Sequence, residues 1–140
     1  MVDKTVLQRK ISDLDTYFGQ IGQYADITLE SYSADWKTQR IVERTLQMMI
    51  ETCADIANHV ISDGRMRPPT SYADTFKILQ ENKIVDAELS ATMMKMAKFR
   101  NVVVHQYEGV DAGIVIAILK KHLSDFNAFR NTIIAYLGKS

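Results

Sequence analysis

Between Phe99 and Gly109 the chain reads FRNVVVHQYEG, which sets Arg100, Asn101, His105 and Tyr107 around three consecutive valines. These residue types suit chemistry on a phosphodiester. Arginine keeps its charge and grips phosphate with two parallel N–H donors. Histidine titrates near neutrality and serves as general acid or base. Asparagine can orient an imidazole or contact a nucleotide, and tyrosine offers a phenol for contact or modification. The same residues also fit the interior of a core helix whose polar groups are hydrogen-bonded, because burying them without partners costs free energy.

Each residue of an α-helix advances about 100°, so Asn101 and His105, four apart, share a face. Arg100 and Tyr107, seven apart, lie close in angle. Arg100 and His105 are about 140° apart and do not converge on a straight helix. Three arrangements reconcile them: a distorted helix, a long arginine side chain reaching round, or two copies meeting across a dimer interface.

The elements that must carry this segment all read as helices. Leu7, Ile11, Leu14, Phe18 and Ile21 alternate spacings of four and three, a stripe that predicts a helix from about Asp3 into the low twenties. Asp26 to Ser33 reads as a connection or a frayed extension. A long second helix is expected from Ala34 to Ser62, with Val42, Leu46, Met49, Ile50, Cys53, Ala57 and Val60 inward. Gly64 suits its C-terminal cap, and Pro68 and Pro69 separate the two halves of the chain. A short helix follows Ser71, with Tyr72, Phe76 and Leu79 facing in.

Asp86 is an N-cap candidate for the helix that runs through Leu89, Met93 and Met96 into the quoted segment, ending near Glu108 and Gly109. Asp111 is expected to cap a last helix reaching Leu137, with Val115, Leu119, His122, Phe126, Phe129, Ile133 and Tyr136 as its stripe. The expected fold is an all-α antiparallel helical bundle of four long helices plus one short helix, in a single domain spanning residues 1–140.

Composition narrows the function. The chain has 140 residues, 46% of them apolar, enough for one domain with a proper core. Seventeen basic and seventeen acidic residues give zero formal charge, which argues against a surface that is basic throughout. A local basic site remains, since Lys95, Lys98, Arg100 and His105 fall between Glu88 and Glu108 with no acidic residue among them. The single cysteine, Cys53, supports neither a disulfide framework nor a cysteine-based zinc site within one chain. No apolar run is long enough for a signal peptide or a membrane span, and the cytoplasm is the expected compartment.

Arg100, Asn101, three apolar residues, His105, one residue and Tyr107 resemble the signature of the HEPN ribonucleases, and within them the HepT toxin family. The context resembles that family too: MAKFRNVVVHQYEGVD before a long amphipathic C-terminal helix, and VERTLQMMIETCADIANHVI as the long second helix. The resemblance implies a helical bundle that forms a homodimer and cleaves RNA without a metal or other cofactor. In that reading Arg100 and His105 carry cleavage, Asn101 positions, and Tyr107 is an RNA contact or a target for AMPylation. It further implies a cognate nucleotidyltransferase antitoxin as partner. The alternative is a non-catalytic helical-bundle dimer that binds such a partner and uses the polar segment only to shape an interface.

Three further groups bear on the choice. Glu51, Asp55 and His59 form one stripe on the second helix, either a partly exposed face with local ion pairs, a metal site, or a support for His105. His122 reads as a hydrogen-bonded core or interface histidine. Arg40, Glu43 and Arg44 read as a surface charge cluster, with RNA or partner binding as the other option. No Walker-type phosphate loop, dinucleotide fingerprint or serine-based triad is present.

Overall fold

Asp, Ser and Thr side chains cap most of the helix starts among the described residues. In the computed structural model, which describes residues 3–106 and 109–139, Asp3 accepts hydrogen bonds from the Thr5 and Val6 N–H groups and opens α1 (Lys4–Ile21). Asp35 caps α3 (Trp36–Asp63), Ser71 caps α4 (Tyr72–Glu81), Asp86 caps α5 (Ala87–His105) and Asp111 caps α6 (Ala112–Lys121). Each such cap typically stabilises its helix by about 1 kcal/mol. A 3₁₀ turn at Gly22–Tyr24 follows α1, the short α2 spans Leu29–Ala34, and α7 spans Leu123–Gly138. No strand occurs among the described residues.

α3 is the central strut. α1, α2, α4, α5 and α7 all pack against it, α4 lies along α5, and α2 also touches α6. The expected apolar stripes are buried: Leu7, Leu14 and Ile21 from α1, Leu46, Met49, Ile50 and Cys53 from α3, and Phe126, Phe129 and Ile133 from α7. Phe76 meets Phe129 edge-to-face, with ring centroids 5.6 Å apart, a favoured aromatic geometry. Ser90, fully buried, donates its hydroxyl hydrogen to the Phe76 carbonyl at 3.2 Å and ties α5 to α4.

The chain departs from the expected elements in three places. The segment read as a connection contains α2, because Thr28 accepts a hydrogen bond from the Ser31 N–H and Tyr32 is drawn into the core. The last helix is split at His122 (φ −125°, ψ 1°), whose Nδ1 lies 2.9 Å from the Asp125 carboxylate in the first turn of α7. The apolar periodicity carries across this break, so sequence spacing alone reads one helix. α5 ends at His105, with the Gln106 N–H bonded to the Val102 carbonyl; of the two residues expected to mark its end, Glu108 lies outside the described residues and Gly109 sits beyond it at φ +105°.

Gly64 does follow α3, but the left-handed residue is Arg65 (φ 54°). A Cβ at Gly64 would stand 2.8 Å from Met66 Cε, the mobile tip of its side chain, and 3.3 Å from the Val60 carbonyl oxygen, so the space there is tight rather than closed.

Candidate active site on α5

Arg100 leaves α5 toward α3. Its Nε donates to Glu51 Oε2 at 2.8 Å, and one Nη1 hydrogen goes to the Asn101 amide oxygen at 3.1 Å. The guanidinium carbon lies 4.2 Å from the centre of the Tyr72 ring, close enough for a cation–π contact. Glu51 Oε2 also accepts from the Gln47 amide at 3.2 Å. The Arg100 side chain is only 15% exposed, so these contacts hold it where solvent exerts little pull.

His105 occupies the last turn of α5 and is exposed. α5 is regular through this residue, so the 140° divergence from Arg100 persists. Asn101 shares a face with His105, yet its amide oxygen turns to Arg100 and no hydrogen bond joins it to His105 among the described residues. The structure thus brings Arg100 and Asn101 together and leaves His105 apart from them. Tyr107 lies outside the described residues.

The stripe of Glu51, Asp55 and His59 is divided among different neighbours. Glu51 serves Arg100, Asp55 pairs with Lys10 at 3.6 Å, and Asp55 and His59 together border an open surface depression with Lys10, Asn58 and Ser62. Among the described residues no three or more His, Cys, Asp or Glu side chains converge as a metal site would require. His122 makes its expected hydrogen bond, to Asp125. Arg40 pairs with Glu43 at 3.6 Å, whose carboxyl is raised above the usual range because burial outweighs the arginine's attraction.

Two site neighbours escaped the sequence reading. Tyr72 is expected to face inward and carries no role in the motif, and Gln47 is not among the candidate residues. The Tyr72 contact is not legible in spacing, because it depends on how α4 is set against α5, whereas Gln47 stands four residues before Glu51 on α3, a spacing that puts the two on one face. Glu51 was singled out for its helical stripe, though its partner is Arg100.

α5 and α6 also flank a half-open, mostly apolar pocket of about 250 Å³ lined by Lys95, Met96, Phe99, Ile114, Ile118 and His122. Val102 and Ile114, 40% and 51% exposed, continue this apolar face into solvent.

A family model described as Ribonuclease HepT-like matches residues 14–133. An mRNA nuclease HepT of Shewanella oneidensis is 35% identical over 102 residues, covering 73% of this chain and 77% of that protein. A tRNA nuclease HepT of Aphanizomenon flos-aquae is 23% identical over 136 residues, covering 97% and 92%. Among solved structures, a toxin–antitoxin crystal structure with AMP-PNP superposes with a TM-score of 0.88 at 31% identity, covering 94% of this chain and 98% of that one. A tri-AMPylated Shewanella oneidensis HEPN toxin in complex with an MNT antitoxin gives 0.86 at 31% identity, covering 96% and 99%.

Proposed function

We propose, from the premise that this chain belongs to the HepT-like ribonuclease family, that it is the toxin ribonuclease of a toxin–antitoxin pair. It acts in the cytoplasm as a homodimer, with residues 1–140 as one domain, and cleaves RNA without a metal. The observation that carries this reading is the state of Arg100. Its Nε and one Nη1 hydrogen are engaged, while its remaining Nη hydrogens bond to nothing among the described residues. That leaves three of the four Nη hydrogens to donate to phosphate oxygens.

The reaction uses the RNA's own nucleophile. The 2′-hydroxyl attacks the adjacent phosphorus, the bond from phosphorus to the 5′-oxygen breaks, and a 2′,3′-cyclic phosphate and a 5′-hydroxyl result. One proton must leave the 2′-oxygen and one must reach the departing 5′-oxygen; His105 moves a proton at these atoms. Arg100 balances the extra negative charge of the five-coordinate phosphorus. Because His105 and Arg100 diverge on one helix, the dimer supplies the convergence, with His105 of one copy facing Arg100 of the other. The exposed apolar face at Val102 and Ile114 supports pairing along α5 and α6.

The partner in this reading is a nucleotidyltransferase antitoxin that attaches AMP to Tyr107. The tri-AMPylated Shewanella oneidensis toxin with its MNT antitoxin supports it. A phosphate-bearing adduct two residues from His105 would compete with RNA for Arg100.

The test is RNA cleavage by purified, unmodified protein freed of its partner, with and without a chelator, beside His105→Ala. Cleavage that persists in the chelator and vanishes in His105→Ala, with helicity retained, supports the proposal. Cleavage lost in the chelator ends the metal-independent mechanism. No cleavage of any RNA favours the non-catalytic dimer.

A further inference from the structure

A guanidinium offers two bidentate edges, one formed by Nε with an Nη and one formed by the two Nη groups. In Arg100 these edges are treated differently. Glu51, forty-nine residues away on α3, takes Nε at 2.8 Å, and Gln47 donates to the same carboxylate oxygen at 3.2 Å. Asn101 takes one Nη1 hydrogen at 3.1 Å, and the Tyr72 ring covers one face at 4.2 Å. The unengaged hydrogens belong to the Nη groups. A flexible side chain is thereby held in one orientation, with Nε on the carboxylate and unengaged hydrogens left on both Nη groups.

We propose that Glu51 is a positioning residue for RNA cleavage, aiming the Nη edge of Arg100 at the scissile phosphate; the proposal rests on the ribonuclease reading. Two effects of Glu51 oppose one another. Its negative charge weakens the ground-state attraction between Arg100 and RNA. Its hydrogen bond fixes the direction in which Arg100 meets the charge that develops in the transition state. Misplacement of a reacting or stabilising group by about 1 Å can cost roughly 100-fold in rate, so orientation dominates in kcat while the charge acts on KM. Removing Glu51 therefore lowers kcat and leaves KM unchanged or smaller. Loss of folded enzyme lowers kcat alone, so a KM that falls with it, and rescue by Glu51→Gln, separate the positioning role from a general loosening.

The experiment measures kcat and KM on a single-stranded RNA oligonucleotide for the full chain, Glu51→Ala, Glu51→Gln, Arg100→Ala and the double variant Glu51→Ala/Arg100→Ala. Glu51→Ala is expected to lose about 10- to 100-fold in kcat. Glu51→Gln, near-isosteric and still able to accept from Nε through its amide oxygen, restores most of that loss and guards against a folding artefact. In the Arg100→Ala background, Glu51→Ala costs nothing further, because it acts through the missing arginine. A nitrogen–proton NMR signal from Arg100 Nε, protected in wild type and Glu51→Gln and lost in Glu51→Ala, reads the same orientation without turnover. Wild-type kcat in Glu51→Ala, or an equal loss in both backgrounds, overturns the role of Glu51 alone. A wild type that cuts no RNA overturns the ribonuclease reading and this role with it.

Discussion

Arg100 and His105, five residues apart on one helix, point to different surroundings. Arg100 is folded back onto Glu51 and Tyr72, 15% exposed, while His105 stands in solvent at the helix end. Of the three arrangements open to the sequence, a distorted helix is removed because α5 is regular through His105. An arginine reaching round toward His105 is removed as well, since its Nε is committed to Glu51. The proposed reaction therefore rests on the dimer to bring the two residues together.

The exposure of His105 separates activity from stability. His105→Ala is expected to lower RNA cleavage by about 10²- to 10⁴-fold, the range for loss of a general acid or base. It should shift unfolding free energy by no more than about 0.5 kcal/mol. A cleavage assay beside a urea melt checks both, and a destabilised variant would mean His105 has a structural partner.

Arg67 makes acid stability specific. Its guanidinium binds both Asp74 oxygens at 2.7 and 2.8 Å and both Glu81 oxygens at 2.8 and 3.0 Å. Those hydrogen bonds hold the Asp74 carboxyl well below its ordinary 3.8 and lower Glu81 from its ordinary 4.5. Carboxyls depressed in the folded state stabilise it above their unfolded values, and that contribution is lost as pH falls through the folded ones. The stability gap between wild type and Arg67→Ala should therefore be largest near about pH 7 and shrink toward about pH 2. Urea midpoints across that range test it, and a constant gap would exclude the linkage.

Tyr32 is buried and its hydroxyl has no hydrogen-bond partner among the described residues. Burial, with the nearby Glu43 carboxylate adding to it, pushes its phenol up to about 12. Tyr32→Phe removes an unsatisfied polar group and is expected to raise stability by about 1 kcal/mol. A fall of that size in a denaturant melt would reveal a bound water or other partner for the hydroxyl.

Cys53 is fully buried, and burial pushes its thiol above the usual range. The thiolate is the reactive form, so an aromatic disulfide reagent should label native protein only as fast as it unfolds. Rapid labelling in native buffer would contradict the packing of α3.

Where one helix determines its own shape, the sequence is a good guide. The caps at Asp86 and Asp111 and the stripes of α1 and α3 are local features, set by side chains within a turn or two of one another. His122 shows the limit of periodicity: the stripe keeps its phase across a break, so only the backbone of His122 and its bond to Asp125 reveal two helices. In the site, the identities of Arg100 and His105 are legible as a motif, whereas the engagement of Arg100 is not. Glu51 and Tyr72 reach it from α3 and α4, through the packing of three helices. Asn101 sits beside Arg100 in sequence, yet its choice of Arg100 over His105 is a side-chain rotamer and leaves no trace in spacing.

Arg67 joins Asp74, in the first turn of α4, to Glu81, at its last, and so works as a brace along the helix that carries Tyr72. The brace is ionic and 42% exposed at the arginine, which places it within reach of dissolved salt. In the proposed reaction ionic strength acts twice, screening RNA phosphate from Arg100 and weakening the ion pairs along the helix whose first residue, Tyr72, lies against that arginine.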